Sequence, residues 1–396
     1  MKKIVIFFLF TLTFSQYLNF SNSINNFGLD LLKIINKENN SNNLISPLSL
    51  SYALLMVNKG ADGKTMESIL STLNLNDKIL LDSIYLTIYN NNKIKQPFQV
   101  SNSIWIQEDN CYLPNQNYIN SIDSVFNADI FYVNYLYNKN HIINNINNWV
   151  SSKTNNRINN IVSPNDISVN TRQALINTIY FKDAWMFPFD STKTKEEKFY
   201  KKDDSYMTKM MNKKTRYYHF NGPDFHLLEI PYSSNDISML LLLPSTKDLE
   251  LLINKIDQST INSYIDSLSY ELGDIYLPYI NNKKSYSFKK YLQKMGMYIP
   301  FDHNTASFKG FWDDGSNCET KLPNHYINII NHKTFIKLDE AGTEASAATA
   351  IVMNRTTSIN PFIEPFVFKA NHPFMYIIYN KKTKTNIFIG TYTGNE

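Results

Sequence analysis

The spacing of hydrophobic and polar positions changes several times along the chain. Leu50, Ala53, Leu54 and Val57 recur at i, i+3, i+4 and i+7, which predicts a helix with one apolar stripe. Ser46-Pro47 supplies its start, a capping hydroxyl followed by proline at the first helical position, and Gly60 supplies its stop. From Phe98 the period drops to two. Phe98, Val100, Ile104 and Ile106 fall on one face, and Gln99, Ser101, Ser103 and Trp105 on the other. That alternation predicts a half-buried strand. Residues 175–181 carry apolar side chains on both sides of the alternation, and residues 239–243 are continuously apolar. Both read as strands covered on two faces.

Residues 339–360 fit none of these patterns. They follow an alternating segment, 334–338, and end before Pro361. From Gly342 to Ala350 no side chain is larger than Glu344. Alanine favours helix, yet the flanks are strand-like and residues 354–360 are polar, β-branched and poor in helix formers. Such a segment suits a loop in one state and a strand in another, because small residues enter a closing sheet without overpacking it.

The N-terminus changes the picture next. Lys2 and Lys3 precede the apolar run 4–12 and then Thr13-Phe14-Ser15. A basic start, a short apolar core and a small-x-small site read as a secretory signal peptide, residues 1–15, cleaved after Ser15. The run is too short to span a bilayer. The mature chain, residues 16–396, is expected to be soluble, a monomer and extracellular. Without the two leader lysines, 37 basic residues stand against 35 acidic ones, which is no nucleic-acid footprint. Sequons occur at Asn19, Asn39 and Asn354. The first two are expected to carry glycans. Cys111 and Cys318 could form one disulfide in an oxidising compartment, but sequence does not show that their Cα atoms approach, and the expectation is that they do not pair.

The motifs of common enzymes are absent from the sequence: no Gly-x-Ser-x-Gly, no His-Glu-x-x-His, no Cys-x-x-Cys and no Gly-x-Gly-x-x-Gly. Gly63-Lys64-Thr65 resembles the end of a phosphate loop, but Asn58 stands where that loop needs glycine and a helix precedes it. No enzyme activity, cofactor or metal is expected.

The pattern Glu340-x-Gly342-Thr343-Glu344-Ala345-Ser346-Ala347-Ala348-Thr349 resembles the hinge of a serpin reactive-centre loop. Other segments resemble the same family in the same order. They are Asn42 to Ser49 with Gly60-Ala61 and Thr65, Asn102-Ser-Ile-Trp105, residues 147–158, Leu175 to Trp185 with Pro188-Phe189, residues 228–232 and 238–244, His332-Lys333, and Phe366 onward to Gly390. The resemblance covers nearly all of residues 24–392. It implies an α+β serpin fold with three β-sheets, about nine helices and an exposed reactive-centre loop at about 342–360. It also assigns Ser46, Ser49, Asn177, Trp185 and His332 to the region where the main sheet opens. Three positions depart from the family. Asn156 replaces a glycine, Ser307-Phe-Lys-Gly310 replaces Asp-x-Ser-Gly, and Tyr279 stands where a lysine often pairs with the hinge glutamate, here Glu340.

Function follows from the resemblance as an expectation. A serine protease would attack the loop, form an acyl-enzyme, and be trapped when the cut loop enters the main sheet as a new strand. Thr343, Ala345, Ala347 and Thr349 alternate against Glu344, Ser346, Ala348 and Ala350, so nothing in the hinge blocks insertion. The family's spacing places the cut at Thr356–Thr357 or, one residue shorter, at Arg355–Thr356. The second is preferred, because arginine matches the carboxylate of a trypsin-like pocket. The alternative is a non-inhibitory serpin acting as a binding or carrier protein.

Overall fold

The computed structural model describes residues 2–39, 41–75, 81–92, 96–108, 113–313, 325–344 and 364–394. In chain order the helices are α1 (Lys2–Glu38), α2 (Pro47–Asn58), α3 (Gly63–Thr72), α4 (Leu81–Asn92), α5 (Gln116–Ser121), α6 (Tyr135–Lys153), α7 (Leu249–Lys255), α8 (Gln258–Asp266) and α9 (Lys289–Lys294). The first eight strands are β1 (Leu44–Ile45), β2 (Phe98–Gln107), β3 (Asp129–Val133), β4 (Gln173–Phe181), β5 (Asp183–Ala184), β6 (Lys195–Tyr200), β7 (Ser205–Asn221) and β8 (Phe225–Pro231). The rest are β9 (Ile237–Pro244), β10 (Ser269–Pro278), β11 (Ile280–Ser287), β12 (Ile329–Asp339), β13 (Gly342–Thr343), β14 (Phe366–Lys369), β15 (Phe374–Asn380) and β16 (Thr385–Tyr392).

The chain divides into two compact units. Residues 1–34, 46–180 and 284–334 form the first, and residues 35–45, 181–283 and 335–396 the second. In the first unit β2 pairs parallel with β3, and β4 pairs parallel with β12 in a register that places Asn177 opposite His332. Within this unit α2 is buried along all twelve residues. The periodicity predicts only one buried stripe there. The polar face is buried as well, and on it Ser49 finds a partner inside, as described below. In β2 all six residues from Ser101 to Ile106 are buried, so this strand is covered on both faces rather than half-buried. Trp105, on the expected polar face, stacks on Phe131 with ring centres 4.0 Å apart and donates its Nε1–H to Ser103 Oγ at 3.0 Å.

The second unit holds a nine-stranded sheet in the order β1-β16-β15-β9-β8-β7-β10-β14, with β6 paired to β7. The resemblance implies three sheets in all. Two of them share one continuous strand, because β7 pairs with β6 through residues 205–210 and with β8 through residues 218–221. The core of this unit is the apolar run of β9 and the fully buried β15 and β16.

Two departures from the family pattern have a local account. Asn156 sits at φ +61°, in the left-handed region that asparagine tolerates better than most residues. At Ser307-Phe-Lys-Gly310 the glycine is kept, and its N–H donates to Gly60 O at 3.0 Å. A Cβ on Gly310 would lie 3.0 Å from Gly60 Cα, and one on Gly60 would enter the Phe311 ring. Cys111 and Cys318 lie outside the described residues. An antiparallel bridge, Pro114 to Trp312, nevertheless joins the stretches that lead to them, which the sequence did not indicate. Asn19 and Asn39 are exposed on α1 and just beyond its end, respectively. No described helix is long and apolar enough to cross a membrane.

Candidate functional site

The first two hinge residues are already a strand. β13, Gly342–Thr343, lies between the end of β12 and β5, antiparallel to both: Thr343 opposes Leu338 and Asp183, and Gly342 opposes Asp339 and Ala184. Glycine is required at 342 for two reasons. Its φ is +144°, which other residues rarely adopt. A Cβ there would also lie 2.4 Å from Asp183 O and 2.7 Å from Ala184 Cα. Glu344 then takes φ +52°, ending the strand, while its N–H donates to Lys337 O at 2.9 Å. The Glu344 side chain is half-buried rather than free in solvent. Ala345, Ser346, Ala347, Ala348 and Thr349 lie outside the described residues, as do Asn354, Arg355, Thr356 and Thr357.

The seat of this strand is built around Trp185. Its backbone N–H donates to Ala341 O at 2.9 Å, and its indole Nε1–H to Asp339 O at 3.0 Å. The indole stacks on Tyr232, with ring centres 4.5 Å apart. The Tyr232 hydroxyl in turn hydrogen-bonds Thr343 Oγ1 at 2.7 Å. Both rings are buried, so burial pushes the Tyr232 phenol far above its ordinary range and it stays neutral. Below them, Ser233 donates to the Asp183 carboxylate at 2.6 Å, which fixes β5 against the turn after β8.

Glu340 precedes the strand. The Tyr279 hydroxyl donates to its Oε1, and the Thr194 hydroxyl donates to the same oxygen at 2.7 Å. The lysine often found in the family at 279 is thus replaced by a neutral donor, and the contact to Glu340 is kept as a hydrogen bond. Burial pushes the Glu340 carboxyl up, but the hydrogen bonds from Tyr279 and Thr194 and the Lys209 charge together hold it below its ordinary value. Tyr279 is pushed up by burial and by its bond to the carboxylate.

A second cluster lies in the first unit, across the β4–β12 ladder. Ser46 caps α2 by accepting from Ser49 N–H at 3.2 Å. The Ser46 backbone N–H donates to His332 Nε2 at 3.2 Å. That assigns the ring proton to Nδ1, which donates to Asn177 Oδ1. Asn177 Nδ2 donates onward to Ser49 O at 3.0 Å, Ser49 Oγ at 2.7 Å and Asn102 Oδ1 at 2.5 Å. His332 is fully buried, and burial lowers its imidazole to about 3, so it is uncharged at neutral pH. The arrangement can do no acid–base chemistry on a solvent-borne substrate. It ties a helix cap to two directly paired strands.

The five residues assigned by resemblance to the sheet-opening region therefore do not form one cluster. Ser46, Ser49, Asn177 and His332 come together in the first unit, while Trp185 belongs with the hinge in the second. Among the participants, Asn102, Asp183 and Tyr232 enter the sequence reading only as parts of longer segments, and Thr194 and Ser233 not at all. Asn102 had a signal, a polar residue in register with Val100 and Ile104 on the apolar face of β2. Tyr232 and Thr194 had none, since a tyrosine ending an apolar strand reads as core. Among the described residues no group of three His, Cys, Asp or Glu is placed to hold a metal.

Comparison with known proteins gives a consistent picture. The family model described as Serpin (serine protease inhibitor) matches residues 22–394. An uncharacterized serpin-like protein of Thermococcus kodakarensis is 31% identical over 374 residues, covering 93% of this chain and 84% of that protein. Leukocyte elastase inhibitor of Xenopus laevis is 30% identical over 390 residues, 95% of this chain and 99% of that one. Among solved structures, the thermophilic serpin tengpin in its native state has a TM-score of 0.83 at 26% identity, covering 95% of this chain and 94% of its own. Human thyroxine-binding globulin complexed with thyroxine has a TM-score of 0.84 at 24% identity, covering 95% and 98%, a likeness of fold alone.

Proposed function

The chain belongs to the serpin family, and from that premise we propose that it is a secreted suicide inhibitor of an extracellular trypsin-like serine protease. The observation that carries this reading is β13. Two hinge residues occupy a strand position between β12 and β5, and the residues that follow in sequence are small. Insertion after cleavage then extends a strand that exists already, so the costly first pairing is not repeated. In the first unit β4 and β12 are direct neighbours through residues 174–179 and 329–334, the arrangement expected before the cut loop enters.

The protease serine attacks the Arg355 carbonyl, the Arg355–Thr356 peptide bond breaks, and the new amino terminus at Thr356 leaves. The loop carries the acyl-enzyme as it inserts, and distortion of the protease stops hydrolysis of the ester. Asn354 is unglycosylated in this reading, because a glycan beside the cut bond would prevent docking. The signal peptide is residues 1–15, and glycans are carried at Asn19 and Asn39. The mature protein is a monomer that acts as a substrate-like trap and not as a catalyst.

The test is a denaturing gel of the secreted chain mixed with trypsin, beside an Arg355→Ala variant. A complex that survives detergent, formed by the parent and lost in the variant, supports the reading. Cleavage without a stable complex, and without a rise in thermal stability afterwards, would point instead to a carrier. A complex formed equally by Arg355→Ala would move the cut bond to Thr356–Thr357.

A further inference from the structure

The second unit contains a cavity of about 620 Å³ that none of the hinge, Glu340 or Trp185 contacts lines. That volume lies in the range of small-molecule sites. Its walls are the end of β6, the turn from β9 into α7, the turn before β15, and the segment after β16. The walls are held by hydrogen bonds to backbone carbonyls. Tyr200 N–H donates to Asn371 O at 2.7 Å, and Lys247 N–H to Pro244 O at 3.1 Å. Asn42 Nδ2 donates to Gly394 O at 2.7 Å. Lys247 is held in the left-handed region, φ +61°.

The lining separates into two kinds of surface. Leu249 is buried, and with Pro373 and the half-exposed ring of Tyr200 it gives an apolar floor. Lys201, Lys202 and Lys247 are exposed on the rim. Among the described residues neither Lys202 nor Lys247 makes an ion pair. Two carboxylates share the rim. Asp248 is engaged, accepting from Leu251 N–H at 3.0 Å as the cap of α7. Glu250 is free to repel a second negative charge. His372 lies on the cavity wall, and burial, aided by the Lys247 charge, lowers its imidazole to about 4 despite its bond to Pro373 O. It is therefore neutral at pH 7 and adds no charge to the wall.

We propose that this cavity is a binding site for a small amphiphilic monoanion. A carboxylate or sulfonate is held between Lys202 and Lys247, and an apolar body the size of a fused ring pair packs on Leu249 and Pro373. Desolvating the body supplies affinity, while the unpaired ammonium groups select the charge and make binding sensitive to salt. The site is independent of whether the loop inhibits a protease.

The probe for the test is 1-anilinonaphthalene-8-sulfonate, whose fluorescence rises in an apolar site, titrated into the full secreted chain at neutral pH. One saturable site is expected. Lys202→Glu with Lys247→Glu should weaken it at least about tenfold, and Leu249→Trp, which fills the floor, should abolish it. Lys64→Glu on α3 should leave it unchanged. Circular dichroism melting of each variant shows that the fold is kept, and Lys202→Gln with Lys247→Gln serves if charge reversal unfolds the chain. Absence of a saturable site overturns the proposal. So does equal affinity in the lysine variants, or an equal loss on changing Lys64.

Discussion

The contact between Tyr279 and Glu340 gives a quantitative test of how the hinge is held. Replacing Tyr279 by Phe removes one hydroxyl and leaves the ring. A hydrogen bond to a charged group contributes roughly 1.5–3 kcal/mol when both partners are well buried. Here Glu340 is half-buried and keeps the bond from Thr194 at 2.7 Å, so solvent and the second donor absorb part of the loss. The expected coupling is about 1 kcal/mol. A double-mutant cycle measures it: the parent, Tyr279→Phe, Glu340→Gln and the double variant are unfolded in urea with the loop uncut. The pH dependence supplies an independent check. The folded Glu340 carboxyl lies below its ordinary value of 4.5. Its contribution is therefore fully present above that value and is lost as pH falls through the folded one. Coupling of about 1 kcal/mol at pH 7 that declines below pH 4.5 supports the latch. Coupling under about 0.3 kcal/mol at pH 7, within the additivity of independent sites, would refute it.

Three further outcomes follow from the same contacts. His332, lowered to about 3 from an ordinary 6.5, keeps the fold fully stable above pH 6.5 and costs stability progressively as pH falls toward 3. The loss reaches about 2 kcal/mol at pH 5. His332→Gln should flatten the pH dependence of unfolding by that amount, and identical slopes would contradict the buried neutral ring. Gly342→Ala places a Cβ 2.4 Å from Asp183 O in a backbone region that costs about 1–3 kcal/mol. It should expel β13, so that the Trp185 amide loses at least tenfold hydrogen-exchange protection; unchanged protection would show that the seat does not need glycine. Ser49→Ala removes one of three acceptors of Asn177 Nδ2 and should cost about 0.5–1.5 kcal/mol. Asn177→Ala orphans the buried His332 Nδ1–H and should cost more, about 3 kcal/mol. The reverse order in calorimetry would mean that Asn177 is not the hub.

What the sequence disclosed depended on whether a residue's partner was implied by a pattern. The stripe from Leu50 to Val57 and the apolar runs of β4 and β9 need only a core to bury against, so their type could be read locally. The polar cluster could be read only in part. Ser46 has a local role as a helix cap, but its meeting with His332 depends on the β4–β12 register. That register is set by pairing across 155 residues between Asn177 and His332. β13 was the least legible element. A two-residue strand has no period, and the alanines that follow argue for helix. Its position is decided by the close approach of Gly342 to Asp183 and Ala184, which no local propensity encodes. Tyr279 illustrates the converse. The family resemblance marks Tyr279 as a missing lysine, whereas a hydroxyl on a half-buried ring reaches the same carboxylate oxygen.

This substitution alters what the latch responds to. A lysine–glutamate pair on a partly exposed surface is weakened by salt, because both partners are charged and the interaction is screened over about 8–10 Å. A tyrosine hydroxyl carries no charge, and its pKa lies above the physiological range, so its bond to Glu340 is short-ranged and nearly indifferent to ionic strength. Only protonation of Glu340 removes its charge-assisted character. The Tyr279–Glu340 contact is thus one that acid weakens and salt hardly touches, with the Lys209 charge contributing a screened component. The Trp185–Tyr232–Thr343 stack behind it contains no titratable group near neutrality. Gly342 and Glu340 thus add two controls on the uncut hinge to the Trp185 and Tyr232 contacts, one of backbone geometry and one of charge. Both precede the small residues that would follow into the sheet.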